Sequence, residues 1–190
     1  MSKEIPSSAS EIANVMEIAG QLGIATDSLT EFTKVMINLG VSTNLSAEDA
    51  ATALAKFANV VSMPDFDENG ISNYERLGSV IVDLGNNFAT TEQDIVTMAT
   101  RLASTGDIVG LSEAQIMALA TAMSSVGIEA EAGGSTMSKL LRKIQLAVET
   151  GSSSLQDYAS VANMTGEEFS QAFKDDAVVA LSAFIDGLND

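Results

Sequence analysis

The sequence predicts an all-α fold of about ten short helices, set in an array or bundle with internal three-helix repeats. Three observations point there. Apolar residues recur at steps of three and four along nearly the whole chain. Alanine and methionine are abundant while aromatic residues make up only 5%, a balance that favours helices over strands. The only prolines are Pro6 and Pro64, so every residue beyond 64 keeps the N–H that a helix interior needs.

Taken in order, Ile12, Val15, Met16 and Ala19 form the first apolar stripe. Ser8 with Glu11 three places on is a capping-box pattern, and Gly20 and Gly23 are expected to break the helix. The second helix carries Leu29, Phe32, Val35, Met36 and Leu39, with Ser28 and Glu31 as a box and Gly40 as the stop. The third starts at Ser46 and turns Ala47, Ala50, Ala51, Leu54, Ala58 and Val61 inward, with Glu48, Asp49, Thr52, Lys56 and Asn59 opposite. Residues 63–73 read as a loop marked by Pro64, Asn69 and Gly70. Leu77, Val80, Ile81 and Leu84 make the fourth helix, stopped near Gly85. The fifth, Ile95, Met98, Ala99 and Leu102, follows Thr90 or Thr91. The sixth has Ser112 as cap, Ile116, Leu119, Ala120 and Met123 as its stripe, and Gly127 as its stop.

Gly133 and Gly134 read as the next join, ahead of a seventh helix holding Met137, Leu140, Leu141, Ile144 and Val148. Gly151 to Ser154 reads as a flexible joint. Leu155, Tyr158, Ala159 and Ala162 form a short eighth helix. The ninth starts at Thr165 with Glu168 as box partner and carries Phe169, Ala172 and Phe173. The last holds Val178, Leu181, Phe184, Ile185 and Leu188. Most of these are shorter than roughly 15 residues and marginal alone in water, so packing must hold them.

Helices one to three and four to six echo each other at a shift of about 65 residues, the kind of self-similarity that marks repeat architectures. Ile12, Val15, Met16 and Gly20 match Leu77, Val80, Ile81 and Gly85; Phe32, Val35 and Leu39 match Ile95, Met98 and Leu102. The expected organisation is unit 1 over residues 1–63, a similar unit 2 over 64–127, and a degenerate unit 3 with the C-terminal helix over 128–190. Together they read as one continuous segment of a longer protein.

Composition excludes several functions. Among 190 residues there are 9 Lys and Arg against 26 Asp and Glu, a net charge of -17, with no His, Cys or Trp. Disulfides, thiolate or imidazole metal sites, a Ser-His-Asp triad and a histidine base are all impossible. Nucleic acid is an unfavourable direct partner, because phosphate binding draws on Lys and Arg. Charged residues are 18% of the chain, below the roughly 25% of average domains, so this is a folding sequence and not an acidic tail. The N-terminus lacks the apolar core of a signal peptide. The most apolar run, residues 177–185, is far short of the about 20 residues that span a bilayer.

Four motifs bear on chemistry. Asp65-Phe66-Asp67-Glu68-Asn69-Gly70 resembles the start of an EF-hand loop, but Ile71 comes one place early and Arg76 stands where the bidentate acid belongs. A solvated acidic turn is the favoured reading. A soluble, calcium-responsive helical binding module resting on Asp65, Asp67 and Asn69 is the alternative function. Lys139, Arg142 and Lys143 form the basic cluster, on the helix face opposite Met137, Leu140, Leu141 and Ile144. It is read as a solvated face, with docking of an acidic partner as the alternative. The carboxylate pairs Glu48/Asp49, Glu167/Glu168 and Asp175/Asp176 fall mostly in first turns, where the helix dipole favours anions. Met16, Met36, Met98, Met123 and Met137 sit on apolar stripes and read as core. No catalytic, cofactor-binding or metal-ligating residue is assigned, and the chain is read as not an enzyme.

Several longer strings carry a resemblance. They are Lys3-Glu4-Ile5-Pro6-Ser7-Ser8-Ala9, Gly85-Asn86-Asn87-Phe88-Ala89-Thr90-Thr91-Glu92, Gly110-Leu111-Ser112-Glu113-Ala114-Gln115-Ile116 and Ser124-Ser125-Val126-Gly127-Ile128-Glu129-Ala130-Glu131-Ala132-Gly133-Gly134. The spacing of Phe169, Phe173, Asp176 and Leu181 fits with them. They resemble the core region of tail tape-measure proteins of long-tailed bacteriophages and prophages, over nearly the whole chain. The resemblance implies a structural segment of a longer protein that scaffolds tail-tube assembly, sets tail length and takes part in genome delivery. It implies contacts with tail-tube subunits, assembly chaperones and tail-tip proteins, and self-association. Its implied place is the tail lumen of the virion, after assembly in the host cytoplasm. It offers no catalytic residues and no cofactor in this region.

Overall fold

The computed structural model describes residues 7–189, so residues 3–6 of the first family-like string lie outside it. Among the described residues there are ten helices: α1 (Ala9–Gln21), α2 (Leu29–Ser42), α3 (Ala47–Val60), α4 (Asn73–Asn87), α5 (Glu92–Ile108), α6 (Glu113–Ser125), α7 (Ala130–Thr150), α8 (Ser153–Val161), α9 (Gly166–Asp175) and α10 (Ala177–Gly187). No strand occurs among them. The fold is all-α.

Most helix starts follow from one local rule, a hydroxyl that satisfies an orphan N–H of the first turn. Ser8, Ser46, Ser72, Thr91, Ser112 and Thr165 each accept from the N–H three places on. The box is reciprocal at Ser112–Gln115 and Thr165–Glu168. The expected box at Ser8 is only half made, because the Glu11 carboxylate accepts from Ser7 instead. Ser28 caps nothing: its hydroxyl donates to Asp65, 37 residues on.

Two kinds of helix end recur. After α1, α3, α5, α6 and α8 the chain passes through a left-handed residue, namely Gly23, Ser62, Gly110, Gly127 and Asn163. The next residue's N–H then returns to the carbonyl five places back, for example Ile24 to Ala19 and Met164 to Ala159. This is the Schellman closure, and the residue that makes it is apolar each time: Ile24, Met63, Leu111, Ile128 and Met164. By contrast, α2 and α4 end in the extended residues Thr43 and Phe88.

Five glycines expected to end or join helices lie inside them. Gly20 and Gly85 are helical, and α2 runs through Gly40 to Ser42. A Cβ at Gly40 would lie 2.8 Å from the Ala47 backbone nitrogen, so this glycine lets α3 press against α2. The larger difference is at Gly133 and Gly134, which are buried in the first turns of a 21-residue α7. A Cβ on Gly134 would stand 2.8 Å from Arg101 Cβ, and one on Gly133 would strike Ile128. The pair is a close-approach surface, not a join. The Gly151–Ser154 joint is likewise shorter than expected, since α8 already begins at Ser153.

Helices α1, α2 and α3 all touch one another, as do α4, α5 and α6. The two sets meet through α2 with α4 and α3 with α5. Helix α5 is the hub and also carries α7, which leads into the mutually packed α8, α9 and α10. Its Ile95, Met98, Ala99, Leu102 and Ala103 are fully buried. Each large side chain so buried contributes about 1.5–3 kcal/mol of transfer free energy. Met36, Met98 and Met123 are core residues as expected, and Met16 and Met137 are partly buried against it.

Candidate functional site

The acidic motif lies in the α3–α4 connection, which is more ordered than an open loop. Phe66 and Ser72 form a single antiparallel bridge, and Gly70 takes the left-handed turn position. Asp67 N–H donates to the Ile71 carbonyl at 2.9 Å, and Asp67 Oδ1 accepts from the N–H groups of Asn69 and Ile71 at 2.8 and 2.9 Å. Asp67 Oδ2 meets Arg76 Nη1 at 3.3 Å. The Ile71 N–H, with help from Asn69 and the Arg76 charge, holds the Asp67 carboxyl below its ordinary value. Its folded pKa is depressed, so its contribution to stability is present above the ordinary Asp range and is lost as pH falls through the folded value.

Asp65 faces inward. Its carboxylate accepts from the Ser28 hydroxyl of α2 and, at 2.9 Å, from Tyr74 Oη of α4. Tyr74 is buried edge-to-face against Phe32, with ring centres 4.8 Å apart. Burial, then the bond to Asp65, pushes its phenol well above the ordinary tyrosine range. The oxygens that a cation would have to recruit from Asp65 and Asp67 are thus already bonded to protein donors. No group of three carboxylates among the described residues is placed to hold a metal ion.

The other carboxylates serve helix ends. Asp49 accepts from Ser46, and Glu168 closes the box at Thr165, whose backbone and hydroxyl donors lower its pKa. Asp176 caps α10 through the Val178 N–H and accepts from Gln115 of α6 at 3.0 Å. Glu48 accepts from Asn14 at 3.2 Å, and Asp175 from Gln171.

The basic cluster stands apart. Lys139, Arg142 and Lys143 are exposed on α7, and Arg101 of α5 joins them to line one depression of about 570 Å³. Sequence reasoning missed Arg101, which lies 38 residues before Lys139 in the chain. The only signal was the Gly133–Gly134 pair, which brings α7 onto α5 at that point.

A sequence model of the family described as phage-related minor tail protein matches residues 1–189. The chain belongs to that family. Its members are tail proteins, and the structural role expected from the tape-measure resemblance stands at that level. The chain is also 27% identical, over 148 residues, to the probable tape measure protein of Halomonas phage phiHAP-1. That match covers 74% of this chain but 16% of the relative, so the chain spans about one sixth of the relative it matches. No solved structure matches this minor tail protein chain. No helix among the described residues is long and apolar enough to cross a membrane.

Proposed function

We propose that this minor tail protein chain is a segment of a tape-measure protein, which scaffolds tail-tube assembly, sets tail length and assists genome delivery. The observation that carries the reading is the family match along the whole chain together with the tape-measure relative. Its partners are then tail-tube subunits, assembly chaperones, tail-tip proteins and further copies of itself. It works in the tail lumen after assembly in the host cytoplasm. Its role is mechanical and not catalytic.

Two physical features suit that role. A net charge of -17 repels DNA passing through the same tube. Short helices joined by Schellman turns, each marginal alone, can separate in steps and let the chain extend. The units 1–63, 64–127 and 128–190 are the steps we propose. An antibody against this segment, used on purified tail particles, tests the reading. A band far above 19.7 kDa that cofractionates with tails is expected. A band confined to the soluble fraction and absent from tails would overturn it.

A further inference from the structure

Arg101, Lys139, Arg142 and Lys143 gather in one depression, although the whole sequence has 9 basic residues against 26 acidic ones. The rest of the lining is Gly134, Ser135 and Ser138, with no carboxylate. Among the described residues the ion pairs are Lys34 with Glu31 and Arg76 with Asp67. None of the four cations takes part in either. Arg142 Nη2 donates to Thr105 Oγ1 at 3.3 Å, a single bond for a five-donor fork.

Lys56 and Lys174 are also free of ion pairs, so what sets this depression apart is that four of the scarce cations gather in it with no carboxylate among the lining residues. These four are held together, and their position is fixed by packing. Gly134 leaves the space in which the Arg101 stem lies against α7. The helical spacing does the rest, since Lys139 and Lys143 share one face, as do Ser138 and Arg142. The strip continues into exposed apolar surface. Leu146 lies one turn beyond Arg142 and is 60% exposed. Ile108 of α5 is 56% exposed, and its carbonyl accepts from Gln145.

We propose that this α5–α7 strip docks an acidic segment of a partner protein. Carboxylates meet Arg101, Lys139, Arg142 and Lys143, and an apolar side chain covers Leu146 and Ile108. A short segment suits the strip better than nucleic acid does. A duplex carries a charge every ~1.7 Å along its axis and would run on over the acidic remainder of the surface. A short acidic segment keeps its charges on the strip, while fields beyond a Debye length of ~8 Å are screened at physiological salt. The site is independent of the tape-measure reading and stands or falls on its own binding data.

The test is fluorescence anisotropy on the full chain, with a labelled oligoglutamate peptide bearing one leucine as probe. Saturable binding is expected, weakening steeply with added salt. The triple variant Lys139→Gln, Arg142→Gln, Lys143→Gln is expected to weaken it by about tenfold or more, and Arg101→Gln by a few-fold. Lys56→Gln, an exposed cation on α3, controls for net charge and leaves binding unchanged. Circular dichroism melts confirm that the variants fold. Absence of saturable binding, an equal loss with Lys56→Gln, or tighter binding of a duplex DNA probe would each overturn the proposal.

Discussion

The acidic hairpin between α3 and α4 and the cationic strip on α5 and α7 are opposites in more than charge. In the hairpin, six consecutive residues look like a site, yet Asp65 and Asp67 are bonded to Ser28, Tyr74, Arg76 and their own backbone. On the strip, four cations drawn from two helices carry one hydrogen bond between them and no ion pair. The lesson is that a motif compact in sequence has its donors close by and tends to satisfy itself. A cluster assembled by tertiary packing can be left open to a partner. The hairpin is therefore a structural clamp, and the strip is where stability and function separate.

The largest expected effect falls on the clamp. Asp65→Ala leaves the Ser28 and Tyr74 hydroxyls without an acceptor, both on buried residues. A loss of about 3 kcal/mol is expected, read from urea unfolding of the full chain. An effect below about 0.5 kcal/mol, the level of an ordinary surface change, would place the hairpin on the bland side of the comparison. Next comes the packing that builds the strip. Gly134→Leu drives a side chain into the Arg101 stem and is expected to cost about 2 kcal/mol, by the same measurement, while weakening oligoglutamate binding.

A smaller effect lies in alkaline solution. The folded Tyr74 phenol is raised above its ordinary value of 10.0. Its contribution is therefore fully present below pH 10 and is lost as pH rises from there toward the folded pKa, because the unfolded chain releases the proton first. Unfolding curves on either side of pH 10 should show the decline, and Tyr74→Phe should lessen it. The smallest effect is on the strip itself. Replacing Lys139, Arg142 and Lys143 by Gln should change stability by no more than about 0.5 kcal/mol, because the side chains are exposed and make only the one 3.3 Å bond from Arg142 to Thr105. A larger loss would mean that the strip, too, is structural.

The sequence carried most of the fold in its local signals. Ser8, Ser46, Ser112 and Thr165 are the caps they appear to be, because a cap is decided within four residues. Glycine is harder to read, since one residue type serves two physical needs. Gly23, Gly127 and Gly151 do take positive φ, but Gly40, Gly133 and Gly134 are there for a neighbouring helix that sequence spacing cannot locate. Ser62 and Asn163 show the converse: left-handed stops without glycine, held by the apolar Met63 and Met164 that follow. The candidate sites divide in the same way. The basic face of α7 was readable from helical periodicity, whereas Arg101 was not, because only the α5–α7 contact places it there.

The central claim, that this minor tail protein chain belongs to a tape measure, is tested most directly by tail length. In the source phage, the segment would be deleted in frame and, separately, duplicated, and tails measured by electron microscopy. At the helical rise of 1.5 Å per residue, tails should shorten or lengthen by roughly 280 Å if the chain extends as helix in the tube. Assembled tails of unchanged length in both mutants would contradict the claim.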